Sequence, residues 1–167
     1  SESSRHQRLA QDAYDLFTKT ADAAISKGSR TGLETALDGI VQMADWNREQ
    51  MQHYRASIYH PHTVQNRLNP ATDRSLFWDH FNVARDLYHD IIDRGNCINN
   101  NAARDGLHQL YLEAATVHAV NARKALISAH RDKRNGFLGI FRRMTTTNEY
   151  QHAVKTAERH YANAIDM

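Results

Sequence analysis

The apolar residues of this chain recur at steps of three and four in five separate runs, the spacing that places side chains on one face of a helix. The first run is Leu9, Ala13, Leu16, Phe17, Ala21, Ala24 and Ile25, and Gly28 follows it where a left-handed helix cap is cheap. The second is Leu33, Leu37, Ile40, Ala44, Asn47, Met51, Tyr54 and Ile58. Its steps alternate strictly between four and three, the pattern of a bundle seam, and Pro61 forbids its continuation. The third, Phe77, Phe81, Ala84, Leu87, Tyr88 and Ile91, is opened by Asn69 and Pro70 as N-cap and first helical residue and closed by Gly95.

Asn99, Asn100 and Asn101 offer caps for a fourth run of Ala103, Leu107, Leu110, Tyr111, Ala114, Val117, His118, Asn121, Ala125 and Ser128, ending near Gly136. Many of these are small, so a neighbour can approach closely. Tyr150, Val154, Ala157, Tyr161, Ala164 and Ile165 form the fifth. Three pairs have capping-box spacing: Ser4 with Gln7, Thr31 with Glu34, and Thr146 with Glu149. The pattern predicts an all-α, antiparallel up-and-down helical bundle of about five helices, at approximately 4–27, 32–60, 70–94, 101–135 and 147–166. That connectivity would gather loops 61–69 and 136–145 with the N-terminus at one end.

Composition narrows this little. A chain of 167 residues supports one well-buried core, so 1–167 reads as a single helical-bundle domain. It opens at Ser1 rather than Met, which is compatible with excision from a longer protein. Two prolines and seven glycines are too few for the many tight turns of an all-β fold. The lone cysteine, Cys97, allows no intrachain disulfide and lies in an Asn-rich turn without an evident catalytic partner. No apolar run approaches the roughly 20 residues that span a bilayer. The expectation is a soluble protein without a transmembrane segment, cytoplasmic or delivered into another cell's cytosol.

Charge changes the picture more. Residues 123–143 hold Arg123, Lys124, Arg131, Lys133, Arg134, Arg142 and Arg143 against Asp132 alone, or +6. The whole chain carries only +2, so the remainder carries −4. Within this basic stretch Phe137, Leu138, Ile140 and Phe141 fall in the connection between the last two helices. The eight candidate binding residues are Lys133, Arg134, Phe137, Leu138, Ile140, Phe141, Arg142 and Arg143. Apolar side chains flanked by cations suit an acidic membrane surface, where each nearby Lys or Arg gains roughly 1 kcal/mol. They equally suit a protein partner with an apolar slot and an acidic rim. The alternative is that the segment folds back as a short helix and plugs the end of the bundle. With Arg5, Arg8 and Arg67 at the same end, the basic area would widen. In architecture this resembles small helical-bundle modules of bacterial toxins and effectors that bind acidic membranes through a loop tip; the likeness is one of architecture, not of a residue motif.

Eleven histidines raise metal binding. Asp86 and His89, Asp105 and His108, and Glu149 and His152 have the Glu-x-x-His spacing of di-iron bundles, yet all three pairs lie off the apolar stripes, as solvated faces do. His60 and His62 lack an obvious third ligand, so no metal and no cofactor is assigned. Inward positions say more. His80 and His118 stand nearly equidistant from their shared turn, with Asn47 at a similar level, which predicts a buried polar layer of Asn47, His80, His118, Asn121 and Tyr161. Such layers hydrogen-bond internally and set helix register. A phosphate loop, a paired-Cys motif, His-Glu-x-x-His and a serine elbow are all absent, so no catalytic residue is assigned. The −4 remainder opposes a nucleic-acid footprint. The reading is a non-enzymatic binding module that uses segment 133–144, with a protein or acidic-lipid partner. A metal- or small-ligand-binding bundle using the inward histidines is the alternative, and a homo-oligomer a further option.

Overall fold

The computed structural model describes residues 2–59, 70–95, 100–132, 148, 151–152, 154–160 and 162–163. The fold is an all-α antiparallel helical bundle. Its helices are α1 (Glu2–Lys27), α2 (Arg30–Tyr59), α3 (Pro70–Arg94), α4 (Asn101–Asp132) and α5, helical at 148, 151–152, 154–160 and 162–163. Among the described residues no helix is long and apolar enough to cross a membrane. Pro61, Asn69, Cys97, Asn99, Thr146, Glu149, Tyr150, Tyr161, Ala164 and Ile165 lie outside the described residues, as does loop 61–69.

The first turn shows why the chain reverses where it does. Gly28 has φ of 66°, and its N–H donates to Ile25 O at 3.2 Å while Ser29 N–H donates to Ala24 O at 2.8 Å. These two bonds make a Schellman cap and satisfy two carbonyls that the end of α1 would otherwise leave open. Ser29 then serves the next helix, its Oγ accepting from Gly32 N–H at 3.2 Å. The N-cap of α2 is therefore Ser29, not the expected Thr31, which already lies inside the helix. Ser4 is likewise inside α1, which starts at Glu2.

The chain gathers into two compact units. One comprises Ser1–Gln50 and Asp79–Leu107, the other Met51–Trp78 and His108–Met167. In the first unit Leu33, Leu37, Ile40 and Ala44 of α2 are buried together with Phe81, Ala84, Leu87, Tyr88 and Ile91 of α3 and Ala103 and Leu107 of α4. In the second unit Met51 and Ile58 of α2, Phe77 of α3, Leu110, Ala114 and Val117 of α4 and Ala157 of α5 are buried. The described members of the α2, α3 and α4 stripes are thus buried or half-buried, as their spacing requires.

α1 departs from its stripe. Leu9, Leu16 and Ile25 are 56%, 63% and 51% exposed, whereas Ala21 and Ala24 are buried and Tyr14 and Phe17 half-buried. The buried arc is the narrow row 14, 17, 21 and 24. A helix packed on one side of a unit covers only such a row, and residues one step along the chain rotate about 100° away from it. Trp46 is 55% exposed for the same reason, standing one residue before Asn47 on the seam.

Close approach within the first unit is made at two glycines. Gly39 of α2 faces the Phe17 ring of α1, and Gly106 of α4 faces the Tyr88 ring of α3, each pair equidistant from the turn that joins its helices. A Cβ at either position would overlap the ring. Gly39→Ala and Gly106→Ala are each expected to cost about 1–3 kcal/mol, the usual penalty of overpacking. Ser29→Ala should cost about 1 kcal/mol through the lost cap. Urea denaturation midpoints check all three, and glycine variants as stable as the parent would contradict the packing described.

Candidate functional site

Polar groups on the buried stripes assemble into separate clusters, each tied to particular helix pairs. In the first unit Asn47 of α2 is buried, and its Nδ2 donates to Met43 O at 2.9 Å. Its Oδ1 lies 2.8 Å from Nδ1 of His80 on α3. Since the amide nitrogen is already committed, the oxygen accepts from a protonated Nδ1, which leaves Nε2 as the basic nitrogen. Burial pushes the His80 pKa down, and nearby Asp79 partly opposes that shift. The imidazole also meets the exposed Trp46 edge-on, with ring centroids 5.7 Å apart.

Two further polar ties hold the same unit. Tyr88, fully buried, donates from its hydroxyl to Asp45 of α2. Burial and then that bond raise the phenol pKa, so it stays a donor across ordinary pH. Asp90 of α3 accepts from Tyr14 of α1 at 2.9 Å on one oxygen and from Arg94 Nε at 2.8 Å on the other. Arg94 Nη1 reaches on to Asp22 of α1 at 2.5 Å. Tyr14 and Asp22 follow Asp90 and Arg94 in the same chain direction, so α1 and α3 run parallel here, as an up-and-down order demands.

The second unit carries an aromatic cluster. His118 of α4 stacks on Trp78 of α3 with centroids 4.8 Å apart and planes at 25°. On α5, His160 stacks on His118 at 5.2 Å with planes only 7° apart. Tyr111 of α4 lies 6.0 Å from His160. Burial lowers the His118 pKa to about 4, and the positive charge of His160, Arg159 and His152 adds to the shift. Elsewhere in this unit Lys124 donates to Ile58 O at 2.6 Å, satisfying a carbonyl in the last turn of α2.

The expected single polar layer is thus resolved into two clusters. Asn47 and His80 meet in one unit, whereas His118 belongs to the other and finds Trp78 where the count through the turn had put His80. Asn121 is half-buried on α4, and Tyr161 lies outside the described residues. Sequence reasoning missed His160, which is buried three residues after Ala157. A step of three fits a helix face as well as the step of four that favoured Tyr161. It also missed Asp45, Asp90 and Asp22, whose partners lie far along the chain.

All eight candidate binding-segment residues, Lys133, Arg134, Phe137, Leu138, Ile140, Phe141, Arg142 and Arg143, lie outside the described residues. Among the described residues no three His, Cys, Asp or Glu side chains gather as a metal-binding set. No family model matches the chain, and neither does any curated protein or solved structure.

The His80 arrangement carries a direct check. Long-range proton–nitrogen spectra at neutral pH are expected to show His80 neutral and protonated on Nδ1, and Asn47→Asp should raise its pKa by placing a carboxylate there. An Nε2-protonated ring in the parent would contradict the bond to Asn47.

Proposed function

We propose that this chain is a non-enzymatic binding module that engages an acidic partner, a membrane surface or an acidic-rimmed protein, through the apolar, basic segment 133–144. The observation that carries the reading is the charge distribution. The +6 of residues 123–143 surrounds four large apolar side chains in a chain otherwise at −4. The end of α4 that leads into the segment supports it, since Arg123, Lys124, Leu126 and Ile127 are exposed in the second unit. Cations and large aliphatic side chains therefore continue from the helix toward the segment on one stretch of chain.

The physical division of labour is simple. Basic side chains draw the module to a negative surface over roughly a Debye length, about 8 Å at physiological salt. Phe137, Leu138, Ile140 and Phe141 then supply short-range affinity, each worth about 1.5–3 kcal/mol when fully removed from water. Neither step needs a catalytic group or a resident cofactor.

Flotation with vesicles with and without acidic lipid separates the membrane and protein versions. Replacing Phe137, Leu138, Ile140 and Phe141 by Ser is expected to weaken binding by at least about tenfold while the thermal midpoint is retained. Raising the salt to about 1 M, where the Debye length falls to roughly 3 Å, should weaken it further. If the four serines melt the protein instead, these side chains are core and the reading falls.

A further inference from the structure

Among the described residues of α5, Ala157 and His160 are buried and Val154 and Thr156 half-buried, so His160 is the largest buried anchor described on this helix. What it packs on is unusual for an anchor. Its imidazole lies face to face with another imidazole, that of His118 at 5.2 Å, with Trp78 and Tyr111 beside the pair. Neutral imidazoles stack as ordinary aromatic rings. Two imidazolium ions at this separation repel, and the burial of His160 and half-burial of His118 reduce the screening between them.

We propose that the His118–His160 stack is an acid-sensitive latch, which holds α5 against α3 and α4 at neutral pH and releases it when the imidazoles take up protons. The surrounding charges favour release. On α5 the Arg159 charge, and any charge taken up by His160 or His152, disfavours protonation of His118; from α3 the ring against it is Trp78, and from α4 the ring beside His160 is Tyr111, neither carrying charge. His80 in the other unit differs, because Asp79 supports its charged form.

The direction of the pH effect follows from proton linkage. The His118 pKa lies near 4 in the docked state against about 6.5 in a free chain, so the undocked state binds more protons between those values. Docking of α5 is complete above about pH 6.5 and weakens as pH falls toward 4. Release uncovers Ala122 of α4, now buried in an apolar groove that Val154 and Ala157 of α5 also line. Acid would therefore expose apolar surface in the second unit. This does not rest on segment 133–144, since every residue invoked is on α3, α4 or α5.

Hydrogen exchange on the whole chain, at pH 7 and pH 5 and corrected for intrinsic rates, tests the latch. The α5 peptides are expected to lose at least tenfold in protection at pH 5, while peptides from Arg30–Gln50 of α2 keep theirs. His118→Phe retains a stacking ring that cannot be protonated, and should move the midpoint for α5 loss down by at least one pH unit. Unchanged α5 protection at pH 5, loss in step with the first unit, or an unshifted midpoint in the Phe variant would each overturn the proposal. Should that variant fail to fold, titration of the parent decides. His118 Cε1–H is expected to titrate below pH 5 together with the Trp78 indole signal, and an ordinary titration near pH 6.5 sinks the latch.

Discussion

One constraint governs how this bundle is put together. A polar group placed on a buried helix face must find its partner on a neighbouring helix, because unpaired burial costs several kcal/mol. Asn47, Tyr88 and His118 all stand on mostly apolar seams; Asn47 and Tyr88 hydrogen-bond across a helix pair, to His80 and Asp45, and His118 stacks on Trp78 and His160. Sliding α3 by one turn against α2 would break both the Asn47 and the Tyr88 ties. Apolar stripes tolerate such slips far better, so these few groups are what select one register.

The same groups explain the glycines. Tyr88 reaches Asp45 from a fully buried ring, and Gly106 of α4 leaves room for that ring. Gly39 does the same for Phe17 of α1. Polar ties to Asp90 and Arg94 fasten α1 beside its narrow buried row, while Leu9, Leu16 and Ile25 stay exposed. Packing and hydrogen bonding are not separate layers here. The Tyr88 and Phe17 rings are each accommodated by a glycine opposite.

The two histidine settings show how one residue type serves different ends. His80 is paired with an amide and has a carboxylate nearby that partly opposes the lowering of its pKa by burial. His118 stacks on Trp78 and His160, and burial is the first cause of its lowered pKa. The first arrangement fixes a register. The second makes the docking of a helix depend on protons. Together with the basic, apolar segment between α4 and α5, it puts the chemistry of interest in the later part of the chain.

Helix existence and the buried faces of α2, α3 and α4 were legible in the residues alone, since three-and-four spacing needs no knowledge of the partner. The reversal at Gly28 was legible too, because a positive φ calls for glycine. The capping residue was not. Thr31 and Ser29 are both good caps, and the Schellman bonds that end α1 at Gly28 place Ser29 first. The width of the buried face of α1, the exposure of Trp46, the burial of His160 and the partition of the polar positions into two clusters were decided by tertiary structure. Periodicity states which residues share a face of one helix. Only packing states how much of that face is covered and which ring from a distant helix arrives to cover it.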